Sequence, residues 1–577
     1  MNQSIQTQSP NNVSLLISQS RTNTLGNKTG TWRFVRPKYQ EKTAPCSNAC
    51  PLGIDIAMVE MFASRKDYHS ALNKLLMENP FPAICGRVCF HPCESACNRQ
   101  FLDQSVGIHH IERFIGHWGL SHAKNFDTYP ELNGAKIGII GAGPAGLSVA
   151  YFARRLGYRC DIFEKSEYPG GLLKSGIPSY RLPDRILMDE LERLNNDDIQ
   201  FKYSQSISMD QIKTLNEHYD ALFLCCGDAH SIALKISGEQ HSIDGLDLLH
   251  QIRSNKMPVI EGTVAIIGGG NTAIDVARSL LRMGAHPIIL YRRTRKEMPA
   301  HSHEIDAALK EGVVLKECLS PIEIQKNMNQ LEVKFQCMKP GDITDGGRQT
   351  YIPDGNCSVT MPFSHVVSAI GAEMDIMWRN DQWELSMSHC QMKRIADQPV
   401  FWCGDLTTSE KTVTHALASG KQAVIAWDVM RNQSQNEINH ICHQCQVGKG
   451  PAISFDIYTN GERKNRNNTE IVSFERVNSA YFPKIPAIQV NKISQESCQN
   501  SFNEVISGFD ETQMMNEASR CFNCGICNDC DTCRIFCPEM AIQWDKSNRH
   551  ILLDYCKGCG ICIEECPRDA MNLEVEP

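Results

Sequence analysis

The spacing of apolar positions changes along the chain and divides it into stretches of different character. Between residues 44 and 125, in IAMVEMFA, YHSALNKLLMENP and IHHIERFIGHW, apolar residues recur at helical spacing, which predicts a small helical unit. From 135 to 430, short apolar runs alternate with glycine-rich turns and helix-period segments. That alternation predicts an α/β fold of parallel strands and covering helices. Residues 431–500 lose both periods and are polar and Asn-rich, and are expected as a long surface excursion. Residues 1–30 have too little apolar content to offset the entropy of ordering and are expected to be disordered. TWRFVRPKYQEK, residues 31–42, is basic and aromatic, suited to docking on a partner or to packing as a tail on its own protein. The expected divisions are 1–43 (disordered and basic), 44–130 (helical), 131–255, 256–368 and 369–432 (three α/β stretches), 433–514 (irregular linker) and 515–577 (Cys-rich).

Composition changes this picture through cysteine. Of 27 cysteines, six lie between Cys46 and Cys97 and ten between Cys521 and Cys566. A disulfide framework belongs to short secreted domains, and this chain of 577 residues shows no basic-then-apolar leader. Nor is there a run of about 18 apolar residues, so no membrane span is expected. The clusters therefore read as metal ligands in a reducing cytoplasm. A net charge of −8 argues against a nucleic-acid partner. A homodimer is left open.

The densest run, CFNCGICNDCDTCRIFC at 521–537, resolves against a second one further on. C-x2-C-x2-C-x3-C-P occurs as Cys527, Cys530, Cys533, Cys537 with Pro538, and again as Cys556, Cys559, Cys562, Cys566 with Pro567. This is the bacterial ferredoxin spacing, in which the fourth cysteine of each run ligates the other cluster. Two [4Fe-4S] clusters follow, one on Cys527, Cys530, Cys533 and Cys566, the other on Cys556, Cys559, Cys562 and Cys537. Zinc also takes four thiolates, but rarely in this doubled register with trailing prolines. Cys521 and Cys524 are surplus. They either join Cys442 and Cys445 in a zinc knuckle or remain free thiols.

Two glycine fingerprints lie in the α/β region. In KIGIIGAGPAGLSVAYFARRLGYRCDIFEK (136–165), Gly141 permits the turn, Gly143 lets backbone approach a pyrophosphate and Gly146 allows close helix packing. Glu164 ends the second strand, where a carboxylate meets ribose hydroxyls. In VAIIGGGNTAIDVARSLLRMGAHPIILYRR (264–293), Gly268, Gly270 and Ala273 fill the same places, with Asn271 and Thr272 opening the helix. Arg292 and Arg293 stand where an NAD enzyme has an acid, which favours NADPH over NADH. YDALFLCCG (219–227) and HVVSAIG, ending at Gly371, resemble crossings between dinucleotide domains. FWCGDLTTSEKTVTHALASGKQAV (401–424) resembles a terminal flavin motif, with Gly404 and Asp405 at the ribityl or pyrophosphate region. Its helix, starting near Thr412, would point an N-terminus at the isoalloxazine. His415 would donate to the flavin, cap that helix or lie on the surface. Vicinal Cys225 and Cys226 are expected to be inert and buried.

Taken together, the helical Cys unit, GAGPAG, GGLLKSGIPSYRLP (with Gly171 and Leu172), GGGNTAIDVAR, YRRTRKEMPA and the GD motif resemble the small subunit of NADPH-dependent glutamate synthase. The same module forms the electron-entry half of dihydropyrimidine dehydrogenase. The C-terminal unit is similar to a ferredoxin-fused branch that includes the NAD(P)H oxidoreductase partner of dissimilatory sulfite reductase. The resemblance implies an FAD domain interrupted by an inserted NAD(P)H domain. It also implies N-terminal clusters, although Lys38 and Glu41 occupy two places where relatives carry cysteine. One cluster would use Cys50, Cys93 and Cys97 with Glu112 as fourth ligand. The other would keep only Cys46 and Cys89, so one N-terminal [4Fe-4S] cluster is expected, and two if Cys85 or a carboxylate substitutes.

These cofactors imply hydride transfer from NAD(P)H to FAD and single-electron exit through clusters. No nucleophile–His–Asp constellation demands other chemistry, and no catalytic side chain is expected. The expected partner is a redox protein: dissimilatory sulfite reductase first, then ferredoxin or a glutamate synthase large subunit. The rival reading is a non-catalytic scaffold of a redox complex.

Overall fold

In the computed structural model, residues 1–25, 27, 123–128, 195–196, 229, 255, 257–258, 329, 344–348, 380–381, 388–389, 462, 464–465, 546–547 and 577 lie outside the described residues. Most of the segment expected to be disordered is among them. The rest forms an N-terminal helical unit, two parallel sheets with helices, and a C-terminal Cys-rich unit.

The larger sheet centres on Lys136–Ile140, flanked in parallel by Arg159–Phe163 and Ala221–Leu224. Ile199–Lys202 extends it on one side. Gln398–Cys403 joins Ala221–Leu224 on the other, followed by two antiparallel edge strands. Between these halves the chain builds a separate parallel sheet ordered Val314–Lys316, His286–Leu290, Thr263–Ile267, His365–Ser368, Ile243–Asp244. One sheet is therefore interrupted by the other. The short pairing of His230–Ser231 with Ala372–Glu373 lies where the chain leaves and returns. A three-stranded antiparallel sheet, Leu319–Lys326, Leu331–Ile343 and Gln349–Phe363, stands beside the second, with a Cys337–Cys357 disulfide across its long hairpin.

The helix Val413–Asn432 is buried along most of its length and packs on the fingerprint helix Pro144–Arg155. Gly420 makes that approach possible, since a Cβ there would sit 2.5 Å from the Ala145 carbonyl oxygen. In the helical unit, Pro82–Val88 crosses Ile108–His122 at Gly86 and Gly116. A Cβ on either would come within 2.4 Å of backbone on the other helix.

Two expectations are corrected by packing. Residues 433–477 are not an irregular excursion, whereas 483–491 run without regular structure as expected. Ile438, Phe455, Val472 and Val477 are buried in the core that runs from the helical unit through the first sheet, and Arg466–Ile471 is a strand parallel to Glu41–Thr43. The polar composition is spent on internal partners. Buried Glu78 accepts from Ser454, Phe455 and Asp456 and pairs with Lys421. The division 1–43, expected to be disordered, is ordered in its last part: Val35–Tyr39 pairs antiparallel with Met571–Val575, so the basic aromatic segment packs on its own protein, one of its two expected roles. Its arginines meet Glu574 and Glu576 there. Among the described residues no helix is long and apolar enough to cross a membrane.

Candidate functional site: two dinucleotide cradles and a set of thiol cavities

The first cradle forms where several glycines converge. Gly141 has φ +104, and a Cβ there would meet the Cys225 carbonyl oxygen at 2.5 Å. Gly143 caps the helix Pro144–Arg155 and has nothing within 4 Å of an added Cβ, so its backbone is free to meet a ligand. Gly171 folds over it, with 2.9 Å between an added Cβ and Gly143 Cα, and Leu172 begins the short helix Leu172–Ser175. The second-strand acid is in place, as Glu164 accepts from the backbone N–H of Ala142 and of Ser166 at 2.8 Å each. The GD motif returns to the same point. An added Cβ on Gly404 would lie 2.9 Å from Ala145 Cβ, and the Gly404 N–H donates to Ser419 Oγ at 2.8 Å. Burial pushes the Asp405 carboxyl up to about 6, with Lys411 opposing and Asp228 adding to the rise. Asp228 Oδ1 is buried without a hydrogen-bond partner. An open glycine turn, an acid beside it and an unsatisfied buried oxygen are what an FAD pyrophosphate and ribityl chain would complete.

The N-terminus of Val413–Asn432 is capped by Thr412, whose Oγ1 accepts from the His415 N–H at 3.2 Å. His415 Nδ1 also lies 2.7 Å from Thr412 Oγ1, so the capping threonine also holds the histidine ring.

The second cradle repeats the first. Gly268 has φ +146, and an added Cβ would be 2.1 Å from the Ala369 carbonyl oxygen. Gly270 caps Asn271–Arg282 with open space before it, Ala273 is fully buried, and Thr272 follows in the first turn. Asn271 Oδ1 accepts from the His301 N–H at 3.2 Å. Gly371 takes a positive φ at the crossing between the sheets. Beyond the strand His286–Leu290, Arg292 is exposed, whereas Arg293 is half-buried with Nε and Nη1 lacking hydrogen-bond partners. An unpartnered guanidinium there suits a phosphate on the adenosine ribose.

In the helical unit, Cys50, Cys89, Cys93 and Glu112 line one apolar cavity, with His91 and His109 beside them. Burial raises the thiols, Cys50 to about 11 and Cys89 to about 12. Burial also lifts the Glu112 carboxyl to about 8, against a 2.7 Å bond from Asn79 Nδ2. Protons or metal must therefore satisfy this pocket, and three thiols with one carboxyl suit a [4Fe-4S] cluster. The expected ligand set is corrected in one member. Cys89 stands in this cavity where Cys97 was expected, and Cys97 lies near Cys46 instead, because the short helix Pro92–Ser95 separates Cys93 from Cys97. Cys85 is turned aside, with its Sγ 3.5 Å from Asn79 Oδ1.

Two features of this region escaped sequence reasoning. Thr414, in the first turn of the GD-motif helix, lines the cavity, with its Oγ1 3.9 Å from Cys89 Sγ. His109 Nδ1 lies 2.7 Å from Glu94 Oε1, and its ring stacks on His91 at 3.7 Å. No local pattern announces either contact.

In the C-terminal unit, Cys537, Cys556, Cys559 and Cys562 line one cavity, the crossed set expected from the spacing. Pro37 of the N-terminal strand closes its side. Around the other set, Cys533 adjoins Cys527, Cys530 and Cys566. Tyr39 Oη lies 3.4 Å from Cys533 Sγ, and Arg549 donates to Cys527 Sγ at 3.3 Å. Backbone N–H groups of Ala541 and Ala570 donate to Cys537 and Cys566 at 3.3 and 3.4 Å, bonds that tune cluster potentials. The zinc-knuckle reading of Cys521 and Cys524 finds no support. Cys442 sits on the helix Ile438–Gln444 near Cys390, while Cys521 and Cys524 neighbour Cys46 and Cys97.

Comparison with known proteins agrees with this layout. Residues 135–420 match the pyridine nucleotide-disulphide oxidoreductase family. Residues 39–124 match dihydropyrimidine dehydrogenase domain II with its 4Fe-4S cluster, and residues 550–572 match a 4Fe-4S binding domain. The chain is 31% identical over 525 residues to the NADP(+)-dependent formate dehydrogenase subunit beta of Moorella thermoacetica, covering 84% of this chain and 70% of that one. It is 29% identical over 535 residues to the NADPH-Fe(3+) oxidoreductase subunit beta of Geobacter sulfurreducens, covering 85% and 76%. Identity to the NAD-dependent dihydropyrimidine dehydrogenase subunit PreT of Escherichia coli is 27% over 394 residues, covering 66% and 90%.

Proposed function

Given that the chain belongs to the pyridine nucleotide-disulphide oxidoreductase family, here joined to iron–sulfur domains, we propose that it is the NAD(P)H-oxidising subunit of an electron-transfer complex. It exchanges electrons between NAD(P)H and a redox partner protein. When bound, FAD supplies the interchange between the two-electron hydride of a nicotinamide and the one-electron changes of a [4Fe-4S] cluster. Gly141, Gly143, Gly146 and Glu164 would hold its adenosine diphosphate half, and Gly404, Asp405 and the Thr412-capped helix its ribityl and ring end. Gly268, Gly270 and Arg293 would hold NADPH. Cys50, Cys89, Cys93 and Glu112 would hold an N-terminal cluster, and the two crossed cysteine sets the C-terminal pair.

The observation that carries this reading is the contact between Thr414 and Cys89. The helix that ends the flavin motif is also a wall of the first cluster cavity, so the two redox sites share one element. A scaffold would have no use for open glycine cradles and that shared wall. Two of the relatives are named as NADP-linked beta subunits, which favours an NADP-linked complex with a partner subunit. The dissimilatory sulfite reductase reading rests on the sequence resemblance alone.

Anaerobically purified protein titrated with NADPH, then NADH, tests the reading. Flavin bleaching followed by the paramagnetic signal of reduced clusters is expected, with NADPH the more effective. Protein that holds flavin but is reduced by neither nucleotide would return the scaffold reading.

A further inference from the structure

Two cysteines near the C-terminus have no place in the ferredoxin motif, and besides Cys85 two in the helical unit have no place in its cavity. They meet. Cys46 and Cys97 of the helical unit and Cys524 are each less than a tenth exposed, and all four thiols are outside any disulfide. The segment 520–525 is bound to the helical unit along its length. Arg99, two residues after Cys97, donates to the Arg520 carbonyl at 2.8 Å. Asn98 Nδ2 donates to Cys524 Sγ at 3.4 Å. Asn523 Nδ2 reaches the Ala57 carbonyl at 3.0 Å, and the Lys42 N–H donates to the Gly525 carbonyl at 2.9 Å. The turn is tight, since an added Cβ on Gly525 would lie 2.6 Å from the Lys42 carbonyl oxygen.

The surroundings are those of metal-bound sulfur. The Asn523 N–H donates to Cys521 Sγ at 3.3 Å, and backbone N–H groups of Val106 and Arg99 face Cys97. Such bonds offset negative charge on bound thiolates. Cys46 is buried, with Cys97, Cys521 and Cys524 as its neighbours. Lys38 and Glu41, which stand where sulfur is missing, are engaged elsewhere in ion pairs with Glu574 and Arg463.

We propose that Cys46, Cys97, Cys521 and Cys524 bind a [4Fe-4S] cluster, with the C-x2-C pair before the ferredoxin motif supplying two ligands from the far end of the chain. The site rests on the iron–sulfur reading above and adds a second cluster to the helical unit. It also fastens the C-terminal unit to the helical one, because Cys524 and Cys527 are separated by two residues.

Iron, acid-labile sulfide and zinc are measured on anaerobically purified full-length protein, with electron paramagnetic resonance of the dithionite-reduced sample. Four clusters predict about 16 iron atoms per chain. Cys521→Ser with Cys524→Ser is expected to lose about four of them and one paramagnetic component, with flavin content and flavin reduction by NADPH kept. Cys46→Ser, at the other end of the chain, should remove the same component, and combining all three changes should remove no more. Cys442→Ser with Cys445→Ser should keep all the iron. Unchanged iron in Cys46→Ser, or loss of one zinc in place of four irons, would overturn the site and leave the electron-transfer reading standing. Wild-type protein without any iron would overturn both.

Discussion

At the scale of single residues, charge and burial decide what each cradle accepts. Arg293 Nε and Nη1 lack a hydrogen-bond partner, and a 2′-phosphate would supply one. Arg293→Glu removes that donor and adds repulsion. The preference for NADPH over NADH, measured as the ratio of kcat/KM values, should fall by about tenfold or more, roughly 1.4 kcal/mol. An unchanged ratio would free this residue from any part in selection. Glu112 stands among Cys50, Cys89 and Cys93. Glu112→Ala should cost about four irons, one cluster's worth, while Glu112→Gln, which retains an oxygen donor, should keep more of them. Iron analysis that finds no loss in the alanine variant would return this ligand to the thiols. The internal pattern of each motif was legible in the sequence, down to the crossed cysteine sets of the C-terminal unit. The exchange of Cys97 for Cys89 was not. Residues four apart differ by a turn of helix only if the helix continues, and Pro92–Ser95 ends first.

At the scale of elements, function sits where one element serves two units. The helix Val413–Asn432 faces the flavin cradle with Thr412 and the cluster cavity with Thr414. The second sheet meets the helical unit through a side-chain stack, in which the His301 ring lies on Phe90 with centroids 3.4 Å apart. Burial, followed by His303 and Arg181, lowers His301 to about 4. Its folded pKa is thus below its unfolded value of about 6.5. The neutral ring contributes stability fully above pH 6.5, and that contribution is lost as pH falls through 4. The melting temperature of the wild type should drop between pH 6.5 and 4 more steeply than that of His301→Gln. Parallel slopes would mean that the stack does not sense protonation. Strand and helix periods in the sequence foretold these elements, but the polar stretch after residue 431 misled. Its buried partners are glutamate, lysine and backbone groups, which satisfy one another without leaving an apolar stripe.

Across the whole molecule, segments from the first and last parts of the described chain are bound to each other. Val35–Tyr39 completes a sheet with Met571–Val575, and Lys42, fully buried, pairs with Asp569. Arg520 is wholly buried and donates to Asp103 and to the carbonyls of Gln104, Ser105 and Ile485. Arg520→Met leaves buried Glu517 without its cation and those carbonyls without their donor, while Asp103 keeps Arg99, at a cost of about 3–5 kcal/mol. The melting temperature should fall, and proteolysis should open the chain near residue 520 before the dinucleotide region. A variant as stable and as resistant as wild type would show that the clasp carries no load. The sequence by itself determined the two glycine cradles and the four-cysteine runs, because their geometry depends on neighbours a few residues away. The tertiary structure alone decided which distant sulfurs share a site. Cys46 and Cys97 meet Cys521 and Cys524 through docking of segments more than 400 residues apart, and no local spacing encodes the burial that brings them together.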